Sequence, residues 1–252
     1  MANYTYNWSV NPDGTPGVQF TYFKIHARKD YTWIHPVHEC LNYIGGRVES
    51  KVFADITLNH FPDQEKSRGS YLPLLELAVA ETPNEPRMLY YLGREYMYKK
   101  KWEECVSTLE KYLTLSQWDD ERSAAMRWIA AAHRFSGDVP AAFRWYLRAI
   151  AEQPVIRDGY IELAETARNI TPPDWKTVFW AAESALAIPE RSKTFTNMPY
   201  SWNHTPYDLA SLACFYLGLI DKAEDYARKA AERAPGDERI CNNLTLIRNT
   251  YR

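Results

Sequence analysis

Apolar residues follow two different spacings along this chain. Up to about His60 they alternate with polar ones. Tyr4-Thr-Tyr-Asn-Trp8 and Val18 to His26 change face residue by residue, and Asn11-Pro-Asp-Gly-Thr-Pro-Gly17 between them supplies turn residues, so the two runs predict a hairpin. Tyr31 to Ile34 and Lys51 to Leu58 concentrate β-branched and aromatic residues on either side of Gly45-Gly46, which predicts two more strands. Three to five short strands without a long helix make a poor core, so this segment is expected to pack on the helices C-terminal to it. After the polar joint Phe61 to Gly69 the spacing changes. Tyr71, Leu74, Leu75, Ala78 and Val79 form one helical stripe that stops at Thr82-Pro83.

From Asn84 onward the helical stripes come in pairs, and the pairs repeat. Leu92, Gly93, Tyr96, Cys105 and Leu109 have the sizes needed at positions 7, 8, 11, 20 and 24 of a 34-residue unit, where small residues sit at a helix crossing. A unit starting at Pro86 is followed by one at Ser123, with Ile129, Ala130, His133, Gly137, Ala142, Tyr146 and Ala149 at 7, 8, 11, 15, 20, 24 and 27. The third starts at Arg157 and needs two extra residues at Thr171-Pro-Pro-Asp174. The fourth starts at His204, with Gly218 at 15 and Ala223, Ala227 and Ala230 after it. Counting on to Glu238, the spacings are 37, 34, 47 and 34, and the 47 locates an insertion, Pro189 to Asn203. Asp119-Asp120 falls between units and reads as an inter-repeat turn.

That register is the one tetratricopeptide arrays use. The expected fold is mainly α: an α-α superhelix over 63–252, with caps at 68–82 and 238–252, preceded by a small antiparallel β-rich segment over 1–62.

Composition narrows the function classes. The 252 residues are 46% hydrophobic and 25% charged, an ordinary globular balance, and no apolar run approaches the ~20 residues of a membrane span. The N-terminus lacks the basic and apolar regions of a signal peptide, so a cytoplasmic location is expected. A net charge of −2 argues against general nucleic-acid binding, which requires many phosphates to be neutralised. Cys40, Cys105, Cys214 and Cys241 are too dispersed for a zinc knuckle or a disulfide framework. The 18 Tyr and 9 Trp suit core packing in helical hairpins, and also sugar stacking.

Two constellations could carry chemistry. His35-Pro-Val-His38-Glu39 departs from the zincin pattern in spacing, in Pro36 and in the place of the glutamate, which leaves His38 as a single ligand to a metal held mainly by other residues, or as a hydrogen-bonded structural histidine. On extended backbone His38 would share a face with Pro36, and Glu39 with Val37. Positions 2, 5, 9 and 12 of each first helix line the concave groove of such arrays. They hold Arg87, Tyr90, Arg94 and Met97, then Ala124, Arg127, Ala131 and Arg134, then Asp158, Ile161, Glu165 and Arg168. Five arginines make a basic stripe suited to a carboxylate or phosphate, unless Glu95, Glu121, Glu162 and Glu165 neutralise it. There is no Gly-rich phosphate loop, no Gly-x-Ser-x-Gly elbow and no Asp-x-Asp pair at a strand end.

Lys24-Ile-His26, Tyr31-Thr-Trp33, Pro36-Val-His-Glu39, the strand ending at His60, Pro62-Asp63, Lys66-Ser-Arg68 and Tyr91-Leu-Gly-Arg-Glu-Tyr96, in that order, resemble the C-terminal half of bacterial family 2 glycosyltransferases with tetratricopeptide tails. The resemblance implies a partial GT-A sheet at 1–62, His38 as the histidine that can join the site of a divalent cation (Mn or Mg), and Glu39 near it. It also implies a nucleotide sugar and a glycan acceptor as ligands. The sugar-binding half, its Asp-x-Asp and its general base would then belong upstream of Met1, leaving this chain inactive alone. On that view the repeats position an acceptor, contact their own catalytic domain or form a homodimer. The alternative is a non-enzymatic tetratricopeptide scaffold whose basic groove takes a protein, a peptide or an anionic ligand.

Overall fold

The computed structural model describes residues 1–63 and 69–250, so most of the polar joint, including Lys66-Ser-Arg68, and the last two residues of the expected C-terminal cap lie outside the described residues. Contacts divide the chain into two compact units. Unit 1 comprises residues 1–118 with 193–195, and unit 2 is the remainder, so the expected boundary after residue 62 falls inside unit 1.

In unit 1, β1 (Ala2–Asn7) is the central strand of three. It pairs antiparallel with β2 (Gln19–Ile25), as the Asn11 to Gly17 turn predicts, and Asp13 fixes that turn by accepting from the Thr15 backbone N–H and hydroxyl. On its other edge β1 pairs with β5 (Val52–Asn59), and this pairing is parallel rather than antiparallel. The long connection from Ile25 to Val52 makes that possible, because a parallel neighbour needs a crossover that a tight turn cannot provide. The crossover contains a separate hairpin, β3 (Tyr31–Ile34) and β4 (Cys40–Tyr43), the latter without the β-branched residues that mark β3 in the sequence.

His35 to His38 is the turn of that hairpin. His35 and His38 lie in the left-handed region (φ 72° and 53°), so the extended backbone expected across Pro36 to Glu39, with its alternating faces, is not what forms. Val37 at the turn is buried with Leu75, Ala78, Met88 and Leu92, which fastens the turn to α1 (Tyr71–Glu81) and α2 (Pro86–Tyr98). Helix α3 (Trp102–Leu115) completes the first repeat. The α2–α3 crossing is close: a Cβ on Gly93 would lie 2.4 Å from Leu109 Cγ.

Unit 2 consists of α4 (Asp119–Ser136), α5 (Val139–Glu152), α6 (Arg157–Asn169), α7 (Trp175–Leu186), α8 (Thr205–Tyr216), α9 (Ile220–Arg233) and α10 (Glu238–Thr250). The repeat arithmetic places α6 and α10 to the residue and α8 within one. Helix α4 begins earlier than the unit start at Ser123. Asp119 and Asp120, expected in a turn, form its first helical turn with Glu121, where carboxylates meet the positive end of the helix dipole. Asp138 and Asp174 cap α5 and α7 by accepting from Ala141 N–H (2.9 Å) and Thr177 N–H (3.1 Å). Alanines such as Ala125, Ala130, Ala142, Ala164 and Ala182 are fully buried, which lets paired helices approach closely. The insertion runs from the end of α7 to α8 and contains one 3₁₀ turn, Pro199–Ser201. Among the described residues no helix is long and apolar enough to cross a membrane.

Candidate functional site

The site candidates of unit 1 gather around Tyr91. The His38 ring stacks face to face on Tyr91, with centroids 3.6 Å apart and planes 6° apart, and meets Tyr71 edge-on at 5.8 Å. Arg87 donates from Nε to the His38 carbonyl at 3.2 Å, and its guanidinium lies 5.1 Å from the Tyr91 centroid. Arg94, almost two turns further along α2, lies 4.8 Å from Tyr91 and 5.9 Å from Tyr90. The result is a cation and aromatic stack in which the turn that carries His38 is held on α2. Glu39 is exposed beside it. Tyr90 is buried in an aromatic group with Tyr91, Tyr112 and Phe195, so its ring serves the core of unit 1 rather than an open surface. Among the described residues no group of three or more His, Cys, Asp or Glu side chains is placed to hold a metal ion.

Unit 2 uses its arginines differently. Arg127 on α4 is buried, and one guanidinium nitrogen meets Asp158 Oδ1 at 3.0 Å and Glu162 Oε1 at 2.9 Å, both on α6. Its other terminal nitrogen donates to the Thr196 carbonyl at 3.0 Å. Asp158 Oδ1 also accepts from the Met198 N–H at 2.9 Å, and the Tyr200 hydroxyl donates to Glu162 at 2.5 Å. Further along, Arg157 donates to the Ile188 carbonyl from Nε (3.1 Å) and a terminal nitrogen (2.5 Å), and stacks 3.8 Å from the Trp202 ring. The face shared by α4 and α6 thus holds the insertion by its main chain: a guanidinium takes a carbonyl and a carboxylate takes an N–H. Met198 between them is extended (φ −79°, ψ 143°).

Burial governs the electrostatics of this cluster. Asp158 has no exposed surface, and desolvation raises its carboxyl to about 6, outweighing the lowering effect of Arg127; the neighbouring Glu162 charge raises it further. Desolvation also lifts the Tyr200 phenol well above its ordinary value, so it remains a hydrogen-bond donor to Glu162. Arg168 pairs with Glu165 at 2.6 Å, and Arg134 stacks 4.5 Å from Phe135. Among the stripe arginines, Arg127 and Arg168 are therefore committed to carboxylates, which is the neutralisation that Glu162 and Glu165 allow.

Sequence reasoning named Glu162 among the neutralising carboxylates but did not anticipate Asp158 as a partner of Arg127, although the repeat register contains it. Arg127 is position 5 of one unit and Asp158 position 2 of the next. The same step recurs with the charges exchanged: Asp208 at position 5 of the fourth unit takes two bonds from Arg239 at position 2 of the next, at 3.1 and 2.9 Å. Positions 5 and 2 thus lock the second repeat to the third and the fourth to the C-terminal helix.

No protein-family model matches the chain, and no curated protein matches it in sequence. Solved structures do match in fold. The crystal structure of MamA aligns with a TM-score of 0.52 at 23% identity over 65% of this chain and 86% of that one. The C-terminal part of a TPR repeat-containing protein from Cytophaga hutchinsonii aligns with a TM-score of 0.54 at 14% identity, covering 70% and 63%. YrrB, described as a TPR protein with an unusual peptide-binding site, aligns at 0.50 and 14%, covering 69% and 81%. The helical part of this chain has the tetratricopeptide-type α-α fold, with a small β segment before it.

Proposed function

We propose that this chain is a scaffold that binds an extended segment of a partner protein along the first helices of its unit 2 repeats, α4 and α6. The observation that carries this is the clamp on α4 and α6. Arg127 and Asp158 grip the carbonyl of Thr196 and the N–H of Met198, and such contacts to main-chain groups suit an extended peptide of many sequences. The peptide-binding site named for YrrB is in keeping with it. The experiment is a phage-displayed peptide library panned on the wild-type chain and on a variant with residues 196–202 replaced by a Gly/Ser segment of equal length. Enriched peptides with micromolar Kd, weakened several-fold by Arg134→Ala, are expected. No enrichment on either protein would overturn the scaffold function.

The structural neighbours give the glycosyltransferase resemblance no support, because those that align are repeat proteins. A divalent cation and a nucleotide sugar belong to that second function. Calorimetric titration of manganese with a uridine-diphosphate sugar tests it, with heat that vanishes in His38→Ala as the result that would revive it.

A further inference from the structure

The clamp on α4 and α6 is filled by the chain itself. Thr196, Asn197 and Ser201 of the insertion are almost fully buried there, as deeply as core residues, although the segment has no helix or strand of its own beyond one 3₁₀ turn. Its attachments come from several directions. Arg127 and Asp158 hold its main chain, Glu162 accepts from Tyr200, and Trp202 stacks on Arg157 while donating from its indole N–H to Asn197 Oδ1 at 2.6 Å. Arg191 ties the segment to itself through the Asn197 carbonyl at 2.9 Å.

The polar fit between the segment and these helices is incomplete. Asp158 Oδ2 and the Ser201 hydroxyl are both buried without a hydrogen-bond partner among the described residues. A buried acceptor and donor left unmatched cost stability that a better-matched occupant would recover. The segment therefore has the attributes of a ligand supplied in cis: an extended residue, Met198, where it is gripped, main-chain recognition by side chains of the first helices, and an imperfect polar match.

We propose that residues 196–202 are an internal strap that occupies the peptide site of α4 and α6 and that a partner's extended segment must displace. This rests on the proposed scaffold function and adds its regulation: access is governed by the balance between strap and partner. A competent partner would offer a carbonyl to Arg127 and an N–H to Asp158, as the strap does. A second donor that reaches Asp158 Oδ2, such as a serine, threonine or asparagine side chain, would give it an advantage over the strap. Weakening the strap would then raise affinity by the reciprocal of the binding-competent fraction of the wild-type chain.

Two measurements test this. The first is native-state hydrogen exchange on the wild-type chain, comparing the Met198 amide with the amides of α4 and α6. Exchange of Met198 through a partial opening, at rates at least ten-fold faster than those helices, is expected; exchange only together with them would overturn the strap. The second uses the synthetic heptapeptide Thr-Asn-Met-Pro-Tyr-Ser-Trp, the sequence of the strap, measured by fluorescence anisotropy. It should bind the Gly/Ser replacement variant at least ten-fold more tightly than wild type, and equal affinity for both would overturn the proposal. If the replacement variant fails to fold, Tyr200→Phe combined with Trp202→Ala loosens the strap and leaves the helix residues intact. That variant should show faster Met198 exchange and tighter peptide binding, and unchanged values for both would overturn the proposal. Library peptides that bind wild type and replacement variant equally leave the scaffold standing without the strap, whereas fast Met198 exchange with no peptide bound by either leaves a mobile strap without the scaffold.

Discussion

The first repeat helix of unit 1, α2, carries arginines at positions 2 and 9, and that of the second repeat, α4, carries one at position 5; all three are groove positions, and the two units put them to different uses. On α2 the guanidiniums of Arg87 and Arg94 lie against the ring of Tyr91, which is also stacked on His38. On α4 the guanidinium of Arg127 is withdrawn into unit 2 and paired with Asp158 and Glu162. Repeat position fixes where a side chain starts on its helix. What it meets depends on position 2 of the following repeat and on any insertion laid over it, so a basic stripe read from periodicity is a set of directions rather than a binding surface.

The largest expected effect separates the two arginines directly. Arg127→Ala leaves Asp158 buried without its charge partner and should lower stability by about 3–5 kcal/mol, in the range for breaking one side of a buried pair. Arg87→Ala removes a hydrogen bond to the His38 carbonyl and a contact to the Tyr91 face and should cost about 1–2 kcal/mol. Urea denaturation of both variants measures this, and equal losses would mean that the two regions use their arginines alike.

The next effect lies in pH. The Asp158 carboxyl sits at about 6 in the folded chain and near 3.8 in the unfolded one. Between those values the folded state holds a proton that the unfolded state has released, so Asp158 makes stability rise as pH falls from about 6 to about 4. The span corresponds to something on the order of 3 kcal/mol. Asp174 behaves oppositely: its hydrogen bonds from Thr177 depress its carboxyl, so its contribution is present above about pH 4 and lost below. The check is the stability of wild type against Asp158→Asn at pH 6.5 and 4.5. The Asn variant keeps an acceptor for Met198 N–H and should lack the gain on acidification, and parallel profiles would remove Asp158 as its source. Acidification should also shrink the loss caused by Arg127→Ala, since a protonated Asp158 needs no partner.

Much of this architecture is legible before any coordinates because helix crossings demand small residues at fixed intervals. Gly93 against Leu109, and the buried alanines of α4 to α6, set the register that places α2, α6 and α10. The strand segment is legible where alternation is long or β-branched and aromatic residues concentrate, so β1, β2, β3 and β5 are foreseen and β4, Cys40-Leu-Asn-Tyr43, is not. The parallel partnership of β1 with β5 has no local signature, being decided by where a long crossover returns. The candidate site was least legible. The stripe offered Arg127 to a ligand without showing that the sequence-distant Asp158, Glu162 and Thr196 meet its guanidinium. The step from position 5 to position 2, repeated at Asp208 and Arg239, was the signal within reach, and it appears only when successive units are compared in register.

The smallest effect concerns the turn between the two helices of a repeat, where the units again differ. At position 15 unit 2 has Gly137 and Gly218, with φ of 94° and 77°, while unit 1 has Lys100 at φ 59°. A left-handed conformation costs a residue with a Cβ roughly 1–2 kcal/mol, and glycine escapes that while losing about 0.5–1 kcal/mol more backbone freedom on folding. Gly137→Ala should therefore destabilise unit 2 by about 1 kcal/mol, and Lys100→Gly should stabilise unit 1 by somewhat less than about 1 kcal/mol. Thermal melts of the two variants give the signs. Lys100 is also adjacent to the α3 N-terminus, where Glu103 and Glu104 occupy the first helical turn, so removing its charge tests whether local electrostatics offsets the backbone gain. Lys100→Asn, which tolerates the left-handed region and is likewise neutral, separates the two: a gain with Gly but not with Asn assigns the effect to glycine's backbone freedom, and a loss with both assigns it to the missing charge.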